Sequence, residues 1–204
     1  MQQATGNTEA RDRVLDVAER LFAERGYASV TLRDIAAEVG IRHTSLYHHV
    51  PGGKEELFVE VTERHLERHR AGLTRAIDGA APDVRARLYA VADWLLSQPP
   101  MDIVRMIYSD MPRILPAQAE RLSMVAYTSI LLPIDAALRQ GERRGEIAHR
   151  DLGLIAGGLL GMVESLYAVP DHVLTRGRGA MAHDLIDVML DGLRPRPAQG
   201  DAIA

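Results

Sequence analysis

Apolar residues recur every three or four positions along most of this chain, a spacing typical of amphipathic α-helices. The pattern predicts helices over residues 9–25, 31–39, 42–50, 53–79, 82–98, 101–110, 117–140, 151–169 and 180–193. Glycines and prolines separate these segments, and Pro133 is expected to kink the helix over 117–140 because it lacks a backbone N–H. The predicted fold class is therefore all-α.

The sequence from Thr31 to Val50 has the pattern of two short helices joined by a tight turn. Thr31, followed three residues later by Asp34, has the form of a capping box, which pairs free N–H groups at a helix start. Gly40 suits the turn because glycine accepts a positive φ. Two short helices around a glycine turn form a helix-turn-helix.

The second of these helices presents a surface dense in hydrogen-bond donors. Leu46 and Val50 are predicted to point inward, and no Asp or Glu occurs between Val39 and Lys54. The polar residues of this helix are Arg42, His43, Thr44, Ser45, Tyr47, His48 and His49. Such a surface suits a polyanion.

Four segments in this order resemble the amino-terminal domain of TetR-family transcriptional repressors. They are residues 13–26, 31–41, 44–49 and 53–57, which together cover about the first quarter of the chain. The resemblance implies a homodimeric, all-helical repressor with a helix-turn-helix domain and a larger carboxy-terminal helical bundle. It also implies that the dimer binds a palindromic double-stranded DNA operator and releases it when a small molecule occupies the larger domain.

The resemblance further assigns roles to the polar residues of the motif. The residues expected to reach base edges in the major groove are Arg33, Arg42, His43, Thr44 and Ser45. The residues at phosphate-contact positions are Thr31, Tyr47, His49 and Lys54. His48 stands beside His49, and imidazole becomes a cation below a pKa of about 6.5 in model compounds. DNA affinity is therefore expected to weaken as the pH rises through that region.

Composition places the chain among soluble globular proteins, since 47% of its 204 residues are hydrophobic and 25% are charged. It has no cysteine, which excludes disulfides, thiolate zinc sites and cysteine nucleophiles. No nucleophile elbow, glycine-rich phosphate loop or metal triad occurs, so neither an enzyme nor a cofactor is expected. The first ten residues lack the basic and apolar regions of a secretory signal, and we expect a cytoplasmic protein.

Net charge alone does not indicate a nucleic-acid-binding protein. The formal charge is −4, and residues 1–54 contain seven basic and seven acidic residues. The local distribution is more informative, because residues 39–54 carry Arg42, Lys54 and three histidines without an acidic residue. The sequence thus predicts a short positive face on a neutral domain.

The predicted domains are a helix-turn-helix DNA-binding domain over residues 1–52, an effector-binding and dimerisation domain over 53–193, and a disordered tail over 194–204. The helix from Gly53 to Gly79 would span about 40 Å at 1.5 Å per residue. Such a helix is long enough to transmit a change from the larger domain to the DNA-binding domain.

Residues 151–169 and 180–193 are expected to form the homodimer interface, as half of a four-helix bundle that a second subunit completes. The apolar run 152–163 is too short to cross a bilayer, which needs about 20 residues, so no membrane partner is expected. Burial on nearly all sides is the better interpretation of this run. Gly153, Gly157 and Gly161 recur at every fourth position and would let another backbone approach.

An effector pocket, if the chain has one, should lie between the middle helices. Candidates combine apolar bulk with an occasional polar group. They are His65, Trp94, Met106, Tyr108, Tyr127, Met162, Glu164 and Tyr167. Glu164 is notable because a carboxylate within an apolar helix costs free energy unless it is paired or hydrated.

Two alternatives remain open for the larger domain. His65 and His69 stand four residues apart, a spacing that can place two imidazoles on one metal ion, although no third ligand is assigned. This spacing allows a metal-responsive sensor. The other alternative is a DNA-binding dimer that has no small-molecule ligand. The sequence alone does not identify the effector, the operator or the regulated genes, and it does not distinguish repression from activation.

Overall fold

The computed structural model describes residues 2–100, 102 and 105–194, and the side chains within these ranges from residue 9 onward. Within this part of the chain every regular element is helical, which confirms the all-α prediction. The α-helices are α1 (Gln2–Ser29), α2 (Leu32–Val39), α3 (His43–His49), α4 (Gly53–Gly79), α5 (Val84–Leu96), α6 (Pro116–Ala126), α7 (Leu132–Arg143), α8 (Leu152–Ser165) and α9 (Arg178–Gly192).

The first helix differs from its prediction at one end. Helical backbone begins at Gln2 and not at Glu9. At the other end Gly26 has φ 76° and ψ 163°, which are not helical values. A kink at Gly26 therefore interrupts α1 where the sequence predicted the end of the helix.

The middle of the chain contains irregular helix. Residues Met106–Asp110 form a π-helical turn, and Met111–Arg113 form a 3₁₀ turn. A second π-helical turn, Tyr127–Leu131, joins α6 to α7 and directly precedes the first turn of α7, which contains Pro133. Proline is tolerated at that position because the missing N–H would have no partner in a regular first turn.

The long helical segment Pro116–Arg143 is long and apolar enough, by length and composition alone, to cross a membrane. This observation is weak evidence for a membrane span, since core helices of soluble proteins meet the same criterion. The apolar segment Leu152–Ala168 is shorter than that criterion requires, in agreement with its interpretation from the sequence.

The chain divides into two compact units. The first, called the DNA-side unit, consists of Met1–Arg68 and Met101–Ala126, and the second, called the body unit, consists of His69–Pro100 and Tyr127–Ala204. Helix α4 passes from one to the other at Arg68. The predicted functional boundary at residues 52 and 53 stays a prediction, and the predicted tail lies outside the described residues except for Arg194.

The core of the DNA-side unit combines the first four helices with residues from the segment 105–126. Phe22 and Phe58 meet edge to face with ring centroids 5.2 Å apart, and Tyr27 packs 4.9 Å from Phe58. Met111, Ile114 and Leu122 are buried in the same cluster. Because these three residues complete that core, their segment folds with the helix-turn-helix rather than with the body unit.

In the body unit, α5 packs against α7, α8 and α9. A Cβ on Gly141 would lie 2.8 Å from Cβ of Val84, so α5 and α7 approach closely. Arg178 joins α8 to α9, since its Nε donates to the carbonyl oxygen of Leu166 at 3.0 Å and Nη2 donates to that of Val169 at 2.7 Å. These bonds attach the start of α9 to the backbone that follows α8, where the Leu166 carbonyl also accepts the N–H of Val169 at 3.3 Å.

Helix α8 corrects one expectation. Its buried residues lie on one face and are Leu152, Ala156, Leu159, Leu160 and Val163. The other face is exposed in the single chain, and its residues include Gly153, Leu154, Gly157, Gly158 and Gly161. The prediction of burial on nearly all sides is therefore wrong for the isolated chain, because the neighbouring helices cover only one side of α8.

Candidate nucleic-acid interface

Helix α2 begins with the predicted capping box. The backbone N–H of Asp34 donates to Oγ1 of Thr31 at 3.2 Å, and the N–H of Thr31 donates to Oδ2 of Asp34 at 2.8 Å. The hydroxyl and backbone N–H of Thr31 lower the pKa of Asp34 by hydrogen bonding to its carboxylate. The start of α2 is thus fixed by reciprocal bonds, with Ile35 and Ala36 buried beneath.

The turn between α2 and α3 depends on Gly40. Its φ of 78° lies in the left-handed region, and its N–H donates toward the carbonyl oxygens of Ala36 and Ala37. No heavy atom lies within 4 Å of a Cβ placed on Gly40, so backbone conformation alone favours glycine there. The helix-turn-helix predicted from the sequence is confirmed in the fold.

Helix α3 is anchored by two apolar side chains. Leu46 is fully buried and Val50, which caps the helix, is 4% exposed. The remaining predicted DNA-contact residues of this region are exposed or half-buried: Thr31, Arg33, Arg42, Thr44, Tyr47 and His48 are exposed, and His43, Ser45 and His49 are half-buried. The rings of His43 and Tyr47 meet edge to face at 5.2 Å. The packing of α3 therefore leaves its donor-rich surface accessible.

Lys54 lies at the start of α4 and is half-buried. Its Nζ is 4.2 Å from the ring centroid of Tyr27, which is a cation–π distance. Burial lowers the pKa of Lys54 and the charge of Arg113 acts in the same direction, whereas the charges of Asp110 and Asp34 oppose this shift. Glu56 introduces an acidic group beside this start, because a Cβ on Gly52 would overlap its carboxylate. Glu56 therefore lies at the border of the positive face, although it is outside residues 39–54, the range that contains no acidic residue.

Two residues far from the motif in sequence also contact the DNA-side helices. Asp110 accepts a hydrogen bond from the N–H of Tyr27 at 2.9 Å, and Arg105 donates to the carbonyl oxygen of Ala23 at 2.6 Å. Sequence reasoning missed both residues. No local signal marks them, because their partners are more than 80 positions away in the chain.

The predicted effector residues do not form one cluster. His65 Nδ1 lies 3.0 Å from Oε1 of Glu19, Met106 packs against the apolar core of the DNA-side unit, and Tyr108 is 79% exposed. These three belong to the DNA-side unit, whereas the other five belong to the body unit.

Within the body unit, two of these candidates have structural contacts. The Trp94 indole lies against Gly72, where an added Cβ would be 1.9 Å from a ring carbon, and it meets the ring of His69 edge to face at 6.4 Å. The Tyr167 hydroxyl lies within hydrogen-bonding distance of two main-chain carbonyls. Of the remaining three, Tyr127 is exposed, and Met162 and Glu164 are half-buried.

The body unit has a small cleft of about 190 Å³ that is separate from the predicted effector residues. Its lining residues are Asp83, Val84, Arg85, Glu146, Ile147, Leu190 and Arg194. None of the predicted effector residues lines it. Among the residues that the structure describes, no group of three His, Cys, Asp or Glu side chains is arranged to hold a metal ion. The metal-responsive alternative gains no support from this part of the chain.

The first helices thus contain a helix-turn-helix, a motif of DNA-binding proteins, and the body unit is also helical. Residues 14–61 match the family model described as bacterial regulatory proteins of the tetR family. The family that the motifs predicted is therefore the one that this amino-terminal segment matches. The HTH-type transcriptional repressor KstR2 of Rhodococcus jostii is 40% identical over 87 residues, which are 43% of this chain and 42% of that protein. The match spans less than half the length of that relative.

Solved structures with similar folds cover more of the chain. A chain from Saccharomonospora viridis, crystallised in complex with choline, superposes with a TM-score of 0.73 and 24% identity over 93% of this chain and 100% of its own. The structure of AibR in complex with isovaleryl coenzyme A and operator DNA gives a TM-score of 0.70 and 19% identity over 92% and 100%. At these identities the two likenesses establish the fold.

Proposed function

We propose that the protein is a ligand-responsive transcriptional repressor, and not an enzyme, that binds a palindromic DNA operator as a homodimer. The observation that carries this proposal is the donor-rich surface of α3. The capping box at Thr31 and the turn at Gly40 fix that helix, and its polar side chains face away from the core. The named activity of relatives such as KstR2 supports the same conclusion.

The proposed contacts follow the groove geometry of helix-turn-helix proteins, in which the first turns of the second helix reach base edges. The proposed base-contacting residues are Arg33, Arg42, His43, Thr44 and Ser45. The proposed phosphate-contacting residues are Thr31, Tyr47, His49 and Lys54, with His48 beside them. Arginine can address guanine O6 and N7 together, so Arg42 is the main candidate for sequence discrimination.

The proposed dimer interface uses residues 151–169 and 180–193. In α9 the buried residues are Ala182, Ile186 and Leu190, whereas Val188 is 73% exposed and Leu185 is 37% exposed. On α8 Leu154 is 67% exposed beside the glycine-rich face. Apolar side chains exposed on two helices favour burial against a second copy, because a two-fold axis pairs each patch with its equivalent.

The proposed effector is a small molecule bound in the body unit. Choline and isovaleryl coenzyme A in the two structural neighbours support a ligand-binding body, although they do not identify the ligand here. Such a ligand would release DNA only if it binds the conformation that does not bind DNA more tightly than the one that does. The size of this difference in affinity limits its effect. Helix α4, which runs through both units, is the proposed lever between ligand and operator.

Selection of bound duplexes from a random DNA pool tests the central proposal. The purified full-length protein is used at a stated near-physiological salt concentration, because DNA affinity depends steeply on salt. We expect enrichment of an inverted repeat whose half-sites lie about 34–36 Å apart or at a multiple of that spacing. Absence of any enriched sequence, with and without added divalent metal ions, would overturn the assignment.

A further inference from the structure

The kink at Gly26 within α1 is held by residues outside the helix-turn-helix. Gly26 has a φ of 76°, and a Cβ there would lie 3.2 Å from Oδ1 of Asp110. The next N–H, that of Tyr27, donates to the same oxygen at 2.9 Å. Asp110 is only 4% exposed, so its carboxylate is buried against the turn. A buried carboxylate that accepts a backbone N–H fixes the position of that backbone strongly.

Arg105 binds backbone carbonyl oxygens that directly precede the same kink. Its Nη2 donates to the carbonyl oxygens of Ala23 at 2.6 Å and Phe22 at 3.3 Å, and its Nε lies 3.5 Å from Oδ2 of Asp110. The end of a helix leaves carbonyls unpaired and carries partial negative charge, so a guanidinium is a favourable partner. Arg105 and Asp110 are together called the α1 clip. Asp110 accepts the N–H of Tyr27 after the kink, and Arg105 donates to the carbonyl oxygens before it.

Tyr27 connects the α1 clip to the start of α4. Its backbone is held by Asp110, and its ring packs 6.1 Å from Phe22 and 4.9 Å from Phe58. Lys54 Nζ lies 4.2 Å from the centroid of that ring. Since the ring can move little, the cation–π contact restricts the position of the ammonium group.

Other charged groups near Lys54 already have partners. The carboxylate of Asp34 accepts the Thr31 hydroxyl at 2.6 Å, and Oε1 of Glu55 accepts the N–H of Leu115 at 3.0 Å. Arg113, the other nearby cation, donates its Nε to the carbonyl oxygen of Ser109. Within the part of the chain that the structure describes, the Tyr27 ring is the contact of the Lys54 ammonium, while the carboxylates of Asp110 and Asp34 act on it through their charge.

We propose that Asp110 is a positioning residue for operator binding, which holds Tyr27 and, through its ring, the Lys54 ammonium against a backbone phosphate of the DNA. This inference rests on the proposed DNA-binding function. It assigns a role in DNA affinity to a residue that does not itself reach the duplex. Because a phosphate contact is independent of base sequence, the effect applies equally to every duplex.

The test measures affinity of full-length variants for a random-sequence duplex over a range of salt concentrations. Asp110→Ala is expected to weaken binding about two- to fivefold per DNA-binding domain, the size of an exposed cation–π interaction. The slope of log affinity against log salt should fall by about 0.9 for each phosphate that the protein no longer neutralises. Asp110→Asn should bind as the wild type does, because its amide oxygen can still accept the Tyr27 N–H.

Asp135→Ala is the matched control. Asp135 is also buried, at 7% exposure, and is paired with an arginine, but it lies in the body unit. Both alanine variants should lose thermal stability, whereas only Asp110→Ala should lose DNA affinity. Equal DNA affinity and salt slope for these two folded variants would overturn the inference.

A double-mutant cycle separates positioning from general destabilisation. In a Lys54→Gln background, Asp110→Ala should cause no further loss of affinity, since the ammonium it positions is absent. An equal loss in both backgrounds would show that Asp110 acts without Lys54 and would refute the inference. If Asp110→Ala does not fold, Tyr27→Leu provides the same test, because it removes the ring and keeps the N–H. Failure of the wild type to bind any duplex would instead refute the proposed function.

Discussion

The Tyr167 hydroxyl lies 2.6 Å from the carbonyl oxygen of Gln98 and donates a hydrogen bond to it. The carbonyl oxygen of Leu95 is 2.8 Å from the same hydroxyl, so one side chain connects the end of α8 to the end of α5. Burial raises the pKa of Tyr167, and the charge of Glu164 adds to the effect. Tyr167 therefore has a structural role in the body unit.

Removal of this hydroxyl should destabilise the fold. Tyr167→Phe removes the single hydroxyl proton that the two carbonyls share, and we expect the free energy of unfolding to fall by about 1–2 kcal/mol. Urea titration followed by circular dichroism measures the change. Tyr108→Phe is the control, because Tyr108 is 79% exposed and its hydroxyl is available to water. Similar losses for both variants would contradict this role for Tyr167.

Because Gly40 has a positive φ, its replacement by another residue should lower the stability of the fold. Gly40→Ala is expected to lower the free energy of unfolding by about 1–2 kcal/mol, the penalty for an L-residue in the left-handed region. Gly79→Ala is the matched control, since a Cβ added to either glycine would meet no heavy atom within 4 Å and only Gly40 has a positive φ. If Gly79→Ala costs as much, a cause other than φ must be responsible.

Glu19 should make stability dependent on pH. Burial raises its pKa, but hydrogen bonds from His65 and Arg68 outweigh burial and leave the pKa below its ordinary value of 4.5. Because the folded-state pKa is the lower one, this contribution is present above about pH 4.5 and is lost as the pH falls through the folded value.

The corresponding experiment compares Glu19→Gln with the wild type. At pH 7 the variant should be less stable, and the difference should shrink progressively as the pH falls below about 4.5. Urea titrations at a series of pH values measure it. Glu24→Gln serves as the control, since Glu24 is 51% exposed and forms only a surface pair with Arg20. A difference that grows toward acidic pH would have the wrong sign for this explanation.

Substitution of Tyr47 on α3 and of Arg42, which caps that helix, should affect DNA binding in different ways. Tyr47→Ala should weaken binding to all duplexes by a similar factor, because a phosphate contact carries no base information. Arg42→Ala should reduce affinity for the selected operator more than for random DNA. The loss of operator binding free energy should be about 1–3 kcal/mol, and the preference for one base in the operator should weaken. Competition titrations with both DNAs measure these factors. A uniform loss for both variants would refute this division of roles.

If the dimer forms through α8 and α9, substitution of Val188 on α9 should disrupt it. Val188 is 73% exposed in the single chain, so Val188→Asp should not disturb the fold of one subunit. In the proposed interface, two buried aspartates would face each other near the two-fold axis, and dissociation is expected. Light scattering after size-exclusion chromatography gives the mass. Leu115→Asp, at a position 63% exposed in the DNA-side unit, should leave the dimer intact. A dimeric Val188→Asp variant would argue for another interface.

Much of the DNA-binding domain was predictable because its signals are local. The Thr31–Asp34 capping box, the glycine at the turn and the inward residues Leu46 and Val50 all act within a few positions of one another. Periodicity likewise located most helices of the body unit. The sequence did not predict the π-helical turn Tyr127–Leu131, since such turns depend on how neighbouring helices pack.

The effector candidates show where pattern reasoning fails. Trp94 and Tyr167 have the composition of pocket residues, yet Trp94 lies against Gly72 and Tyr167 bonds to main-chain carbonyls. Periodicity reports which residues are apolar and share a face. It does not report whether the facing element is a ligand, another helix or a second subunit.

By itself, the sequence determined the fold class, the helix-turn-helix and the donor-rich surface of α3, because capping, turn conformation and helical periodicity are short-range properties. Only the tertiary structure decided that Asp110 and Arg105 hold the kink in α1, that Lys54 lies over Tyr27, and that one face of α8 is exposed. The first of these depends on residues more than 80 positions apart. Such contacts follow from how complete helices pack, and no local pattern encodes them.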